Sequence, residues 1–261
     1  MTFEELKIQL DLNEPIDVLK SIGKQTDDDE WFVVCDEGDC HLFDNDGNDI
    51  EIKKIKSLYE KIIPKDIKKI IVPDSIESIR NDAFFSCINL TSINISDSVQ
   101  SIGYDVFYGC INLTSINIPD SVEYIGKGIF CGCESLKSIT IPNSIKSIGN
   151  STFYNCKNLK SITIPNSVES IGHHTFSYCK SLTSIIIPNS IKHIGDSAFA
   201  YCKNLTSINI PDSVKSIGYD AFYDCLNLKS IIFKGKTIDQ IKSMNFYTWG
   251  IKDESIIKCI G

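Results

Sequence analysis

The sequence predicts a curved α/β solenoid of seven 23-residue repeats, preceded by a small α+β module and closed by a C-terminal cap. Three observations predict it. Phe84, Phe107, Phe130, Phe153, Phe176, Phe199 and Phe222 recur every 23 residues, a cysteine follows each by three, and a leucine follows each cysteine by three. An Ile-x-Ile pair then recurs, as in Ile93/Ile95, Ile139/Ile141 and Ile208/Ile210, usually closed by proline. Finally, the charge breaks: residues 1–63 hold 17 Asp+Glu against 7 Lys+Arg, whereas residues 64–261 hold 17 against 19. The expected units are therefore 1–63, 64–233 and 234–261.

A 23-residue unit with Leu-x-x-Ile-x-Ile falls in the leucine-rich-repeat range, one short strand per repeat on a curved parallel sheet. In Leu159-Lys160-Ser161-Ile162-Thr163-Ile164, alternation sends Ile162 and Ile164 inward and Ser161 and Thr163 outward. Pro165 lacks a donor N–H, so it ends the strand. Val168, Ile171 and Phe176 are expected to pack from the convex side. Gly103, Gly126, Gly149, Gly172, Gly195 and Gly218 share one position, where a turn or a close backbone approach is expected. The seven ladder cysteines suit small buried apolar side chains, and reduced thiols are the expectation.

The residues of the repeat, written IPxSVxxIGxxxFxxCxxLxxI, resemble the BspA-like, or treponemal-type, leucine-rich repeat family over about residues 67–233. Members resemble bacterial surface adhesins, protist surface proteins and viral or phage-encoded proteins. The resemblance implies a stacked-repeat fold and a role in binding other macromolecules. The tail after Phe233 is similar to the ends of short, phage-associated members.

In that tail, Thr237-Ile238-Asp239-Gln240 reads as a capping box opening a short helix. Phe246, Tyr247 and Trp249 offer aromatic cover, and Ser255-Ile256-Ile257-Lys258-Cys259 reads as a last strand. The N-terminal unit predicts helices over residues 2–10 and 14–22, then a hairpin from Trp31–Cys35 and Cys40–Phe43.

The chemistry the sequence offers is mostly excluded by spacing. Asp44-Asn45-Asp46-Gly47-Asn48-Asp49 fails as a calcium loop, because the sixth position is Asp49 where glycine is needed. Cys35, Cys40 and His41 lack a fourth zinc ligand nearby. His173-His174 occupies a position that carries varied polar residues in other repeats. No G-x-S-x-G, P-loop or zincin motif is present, so neither an enzyme nor a cofactor or metal is expected. The net charge of −8 and the pI near 5.1 disfavour nucleic acid as a partner. No apolar run approaches membrane-spanning length and no export signal is seen, which predicts a cytoplasmic monomer, with a virion or surface location as the alternative.

Binding is expected on the concave sheet, at Ser115, Asn117, Ser138, Thr140, Ser161, Thr163, Ser184, Ser207 and Asn209. A protein partner is the first expectation, and a host receptor or glycan the second. Phe85, Tyr108, Tyr154, Tyr178, Tyr201 and Tyr223 form a second candidate stripe. Lys157, Lys180 and Lys203 share one position and are expected to splay into water.

Overall fold

The computed structural model describes residues 68–72, 76–244 and 248–260, together with the backbone of the strands Val33–Asp36, Asp39–Phe43, Asp49–Ile52 and Ser57–Leu58. The first three of these strands form an antiparallel meander, with Cys35 opposite Cys40 and His41 opposite Glu51. The expected hairpin is thus present. The helices expected at 2–10 and 14–22 lie outside the described residues, as does the Asp44–Asn48 connection.

From residue 68 onward the chain coils, each turn stacking on the last. The Ile-x-Ile segments stack as a parallel ladder in which each residue pairs with the one 23 positions on, as Ser138, Ile139 and Thr140 do with Ser161, Ile162 and Thr163. The pattern recurs from Lys69–Ile71 through Ser207–Ile210 and Ser230–Lys234. Single bridges at Asn94–Asn117 and Ile186–Asn209 fill places where the ladder is interrupted.

Most repeats carry two strands rather than one. Dipeptides such as Ser147–Ile148, Ser170–Ile171, His193–Ile194 and Ser216–Ile217 form a second parallel ladder. Two residues are too few to show an alternation in sequence, and they become a strand only because a neighbour lies above and below.

The third side of each turn, around the phenylalanine, is a chain of tight turns. The only α-helix among the described residues is Ile238–Lys242, so no described repeat contains one. Two positions per turn have left-handed backbone, for example Asp82 and Ser86, or Ser151 and Asn155, with φ from 56° to 59° in three and 55° in Ser86. Small polar residues and glycine tolerate that conformation best. Between them the N–H groups of Asp82, Phe84 and Ser86 donate to the carbonyls of Tyr104, Val106 and Tyr108 at 2.7–3.0 Å. Backbone pairing between turns therefore runs on all three sides.

The core is one continuous stack. The seven phenylalanine rings lie nearly parallel, their centroids 5.3–5.8 Å apart. The recurring Leu and Ile side chains are buried beside them, as the sequence predicts. Beyond Phe233 the last turn departs from the period: Ile231 pairs with Ile257, 26 residues on, and the extra length holds the helix. Thr237 and Gln240 form the reciprocal capping box expected, and Ile257–Ile260 is the last strand. Of the three tail aromatics, Trp249 is fully buried against Phe222 and Phe233, while Phe246 and Tyr247 lie outside the described residues.

Candidate recognition surface

The first ladder presents two outward columns. Ser115, Asn117, Ser138, Thr140, Ser161, Thr163, Ser184 and Asn209 are exposed, and Ser207 is half-buried. The alternation of the strand does this: in Ser161-Ile162-Thr163 only the isoleucine turns into the core. Ile186, in the same column as Thr163 and Asn209, is 82% exposed.

These side chains are uncommitted. None of the nine hydrogen-bonds through its side chain to another described residue. Nearby hydroxyls behave differently. Thr91, Thr114 and Thr206 donate to carbonyls one turn below, at 3.1–3.4 Å. Ser98 and Ser121, in the turn after the first strand, donate at 2.8 Å to Ile76 and Val99. The columns of the first ladder are therefore a hydroxyl and amide surface left for water or a ligand.

The aromatic stripe is present and continuous in its upper part. Tyr154, Tyr178, Tyr201 and Tyr223 follow one another with ring centroids 4.3–5.5 Å apart. The ring moves one position along the chain at Tyr178 and Tyr201, where the preceding residues, Ser177 and Ala200, are small and buried. Both tyrosines take left-handed backbone, with φ of 63° and 60°. Such a backbone disfavours bulky side chains.

The lysine column differs from its expectation at two of its three members, while Lys180 is exposed with no ion pair among the described residues. Lys157 pairs with Glu134 at 2.6 Å, and Lys203 approaches Asp224 at 3.8 Å, instead of both extending into water. His173 is exposed and helps to hold adjacent turns together, because its Nδ1 accepts the Asp196 N–H at 3.0 Å. Asn81, Asn150 and Asp196 do the same for Tyr104, His173 and Tyr219 with their side-chain oxygens. This side-chain-to-backbone ladder explains why residues with a short-range acceptor suit the position.

The ladder cysteines are buried thiols. Cys110, Cys133, Cys156, Cys179 and Cys202 are completely inaccessible, and burial pushes the thiols of the last four well above their ordinary range. Such groups are poor nucleophiles and poor metal ligands. Among the described residues no cluster of three His, Cys, Asp or Glu side chains is arranged to hold a metal, and no helix is long and apolar enough to cross a membrane.

A coil of short parallel strands with inward leucines and isoleucines defines a leucine-rich-repeat solenoid. The BspA type leucine rich repeat region matches residues 63–183 and 169–258, in six copies, and the chain belongs to that family. Among solved structures it is similar to a leucine-rich repeat protein from Bacteroides ovatus, at 30% identity over 80% of this chain, with a TM-score of 0.63. This chain spans 55% of that protein's length. It is also similar to the leucine-rich repeat protein of T. pallidum, at 28% identity over 76% of this chain and 88% of that one, with a TM-score of 0.61. No curated protein matches it.

Proposed function

We propose that this chain is a non-catalytic recognition module that binds a protein partner along the columns of the first ladder. The observation that carries this reading is the set of uncommitted side chains: Ser115, Asn117, Ser138, Thr140, Ser161, Thr163, Ser184, Ser207 and Asn209 stand in columns without side-chain hydrogen bonds to other described residues, on a frame of paired strands. A preformed array of donors and acceptors loses little entropy on binding an extended chain. Ile186 supplies one apolar contact in its midst. Family membership supports a binding role.

The test is capture of partners from source lysate by the intact protein and by a variant carrying Ser138→Glu, Thr140→Lys, Ser161→Lys and Thr163→Glu, with bound proteins identified by mass spectrometry. The expected result is a specific protein retained by the first and lost by the second. Equal capture by both would overturn the proposed surface. Retention of glycans instead of protein would overturn the proposed partner class and favour an adhesive role.

A further inference from the structure

In a repeat protein, a residue that leaves the repeat pattern singles out its place on the surface. Two such departures meet in space. The first is Arg80, the only arginine in the chain. It stands at the position that Gly103, Gly126, Gly149, Gly172, Gly195 and Gly218 occupy in the six following repeats. The second is Tyr124, which replaces the serine found at Ser78, Ser101, Ser147, Ser170 and Ser216.

The two residues are 44 positions apart, and both line one cleft of about 460 Å³ together with Ser78, Asn81, Ser101 and Gly103. The volume lies in the range of small-ligand sites. Gly103 keeps its floor open: a Cβ there would run into the Asn81 side-chain oxygen and stand 2.9 Å from the Arg80 carbonyl carbon. Among the described residues the lining is rich in donors and includes no carboxylate. Arg80 is exposed and supplies a planar fork of N–H groups. The Asn81 oxygen is occupied by the Tyr104 N–H at 2.8 Å, so its amide N–H groups are what it has left to offer. The Ser78 and Ser101 hydroxyls complete the polar side.

Tyr124 forms the remaining wall. Its ring is 48% exposed and rests edge-on against Tyr104, with centroids 6.4 Å apart at 79°. The neighbouring Tyr104 hydroxyl, with partial burial, pushes its own hydroxyl up to about 12. A half-exposed ring beside converging hydroxyl, amide and guanidinium groups suits a body with one apolar face and a polar edge.

We propose that this cleft binds an acidic sugar, its carboxylate received by the Arg80 fork and one pyranose face laid on Tyr124. Bidentate guanidinium–carboxylate pairing supplies orientation as well as energy. Ser78, Ser101 and Asn81 then meet ring hydroxyls. The site belongs to the second ladder, through strands Ser78–Ile79, Ser101–Ile102 and Tyr124–Ile125, and is independent of the surface proposed for the protein partner.

The experiment follows backbone amide shifts of Gly103 and Tyr104 in the ¹⁵N-labelled full chain at constant ionic strength. The probes are glucuronic acid, glucose, acetate and an acetylated dipeptide with a free C-terminus. The expected result is saturable shifts with glucuronic acid, and binding about tenfold weaker or worse for the other three. Arg80→Gln, Arg80→Lys and Tyr124→Ala should each weaken glucuronic acid by about tenfold while amides elsewhere stay unchanged, lysine failing because it lacks the fork. Absence of shifts, or undiminished binding by Arg80→Gln, would overturn the site. Acetate or dipeptide binding as tightly as glucuronic acid would overturn the sugar.

Discussion

The thiol of Cys156 donates a hydrogen bond to the carbonyl oxygen of Phe130, 3.1 Å away and one turn below. The same carbonyl accepts the N–H of Cys133 at 3.0 Å within its own turn. The relation repeats from Cys110 with Phe84 to Cys225 with Phe199, always 26 residues apart and at 3.0–3.2 Å. The cysteine is therefore both a small buried group and a weak donor that satisfies a carbonyl the ring stack would otherwise leave with one partner.

Alkaline pH should test that bond. Burial holds Cys133, Cys156, Cys179 and Cys202 well above the ordinary thiol value of 9.0 and pushes Cys225 to about 12. Below pH 9 the thiols are protonated in folded and unfolded chains alike, and their contribution is complete. Above it the unfolded chain releases protons that the folded chain keeps, so stability falls as pH rises. The melting temperature of the wild type should drop between pH 9 and 11, more steeply than that of a Cys156→Ala, Cys179→Ala variant. Parallel curves would show that the thiols are not responsible. In alkylation at neutral pH, exposed Cys259 should react well before Cys156.

Gly195 and Gly149 occupy the same column and should answer differently to alanine. A Cβ on Gly195 would stand 2.6 Å from the Gly172 carbonyl carbon and the His173 nitrogen, both backbone atoms that cannot yield. On Gly149 the nearest atoms, of Lys127, are 3.4 Å away. Gly195→Ala should cost about 1–3 kcal/mol or more in urea unfolding. Gly149→Ala should be near neutral, because restricting the unfolded chain offsets a mild contact. Equal costs would contradict the close backbone approach.

Ser121 and Ser190 offer a second matched pair. The Ser121 hydroxyl donates to the Val99 carbonyl at 2.8 Å, whereas the Ser190 hydroxyl is buried with no hydrogen-bond partner among the described residues. Ser121→Ala should cost about 1 kcal/mol. Ser190→Ala removes an unsatisfied polar group and should leave the melting temperature unchanged or higher.

Trp249 ends the ring stack, so its loss should loosen the last turns first. Trp249→Ala removes a fully buried side chain packed on Phe222 and Phe233 and should cost about 3–5 kcal/mol. Amide exchange should accelerate around Phe222 and Phe233 more than around Phe107. Uniform acceleration along the solenoid would show that the turns unfold as one unit and not from the end.

Much of this architecture is legible in the chain. The 23-residue spacing of Phe107, Phe130 and Phe153 states the period, and the alternation in Ser161-Ile162-Thr163 states which side chains face out. Thr237 and Gln240 announce a helix start three residues apart. Each of these signals is local, because the partners lie within a few residues of one another or repeat at a constant interval. The nine outward residues of the candidate surface are readable for the same reason.

Other features are invisible until the turns stack. Ser170–Ile171 is a strand only because Ser147–Ile148 and His193–Ile194 flank it. Asn150 is an acceptor only because the His173 N–H arrives 23 residues later, and Cys156 meets Phe130 across 26. Arg80 and Tyr124 look like isolated substitutions in the repeat, and the cleft between them exists only after two turns of coil have brought them to one face. The period, the buried columns and the exposed columns follow from the order of residues, since side-chain polarity and backbone alternation act residue by residue. The second ladder, the bonds between turns and the Arg80–Tyr124 cleft follow from stacking, since they depend on the rise and twist of one turn over the next.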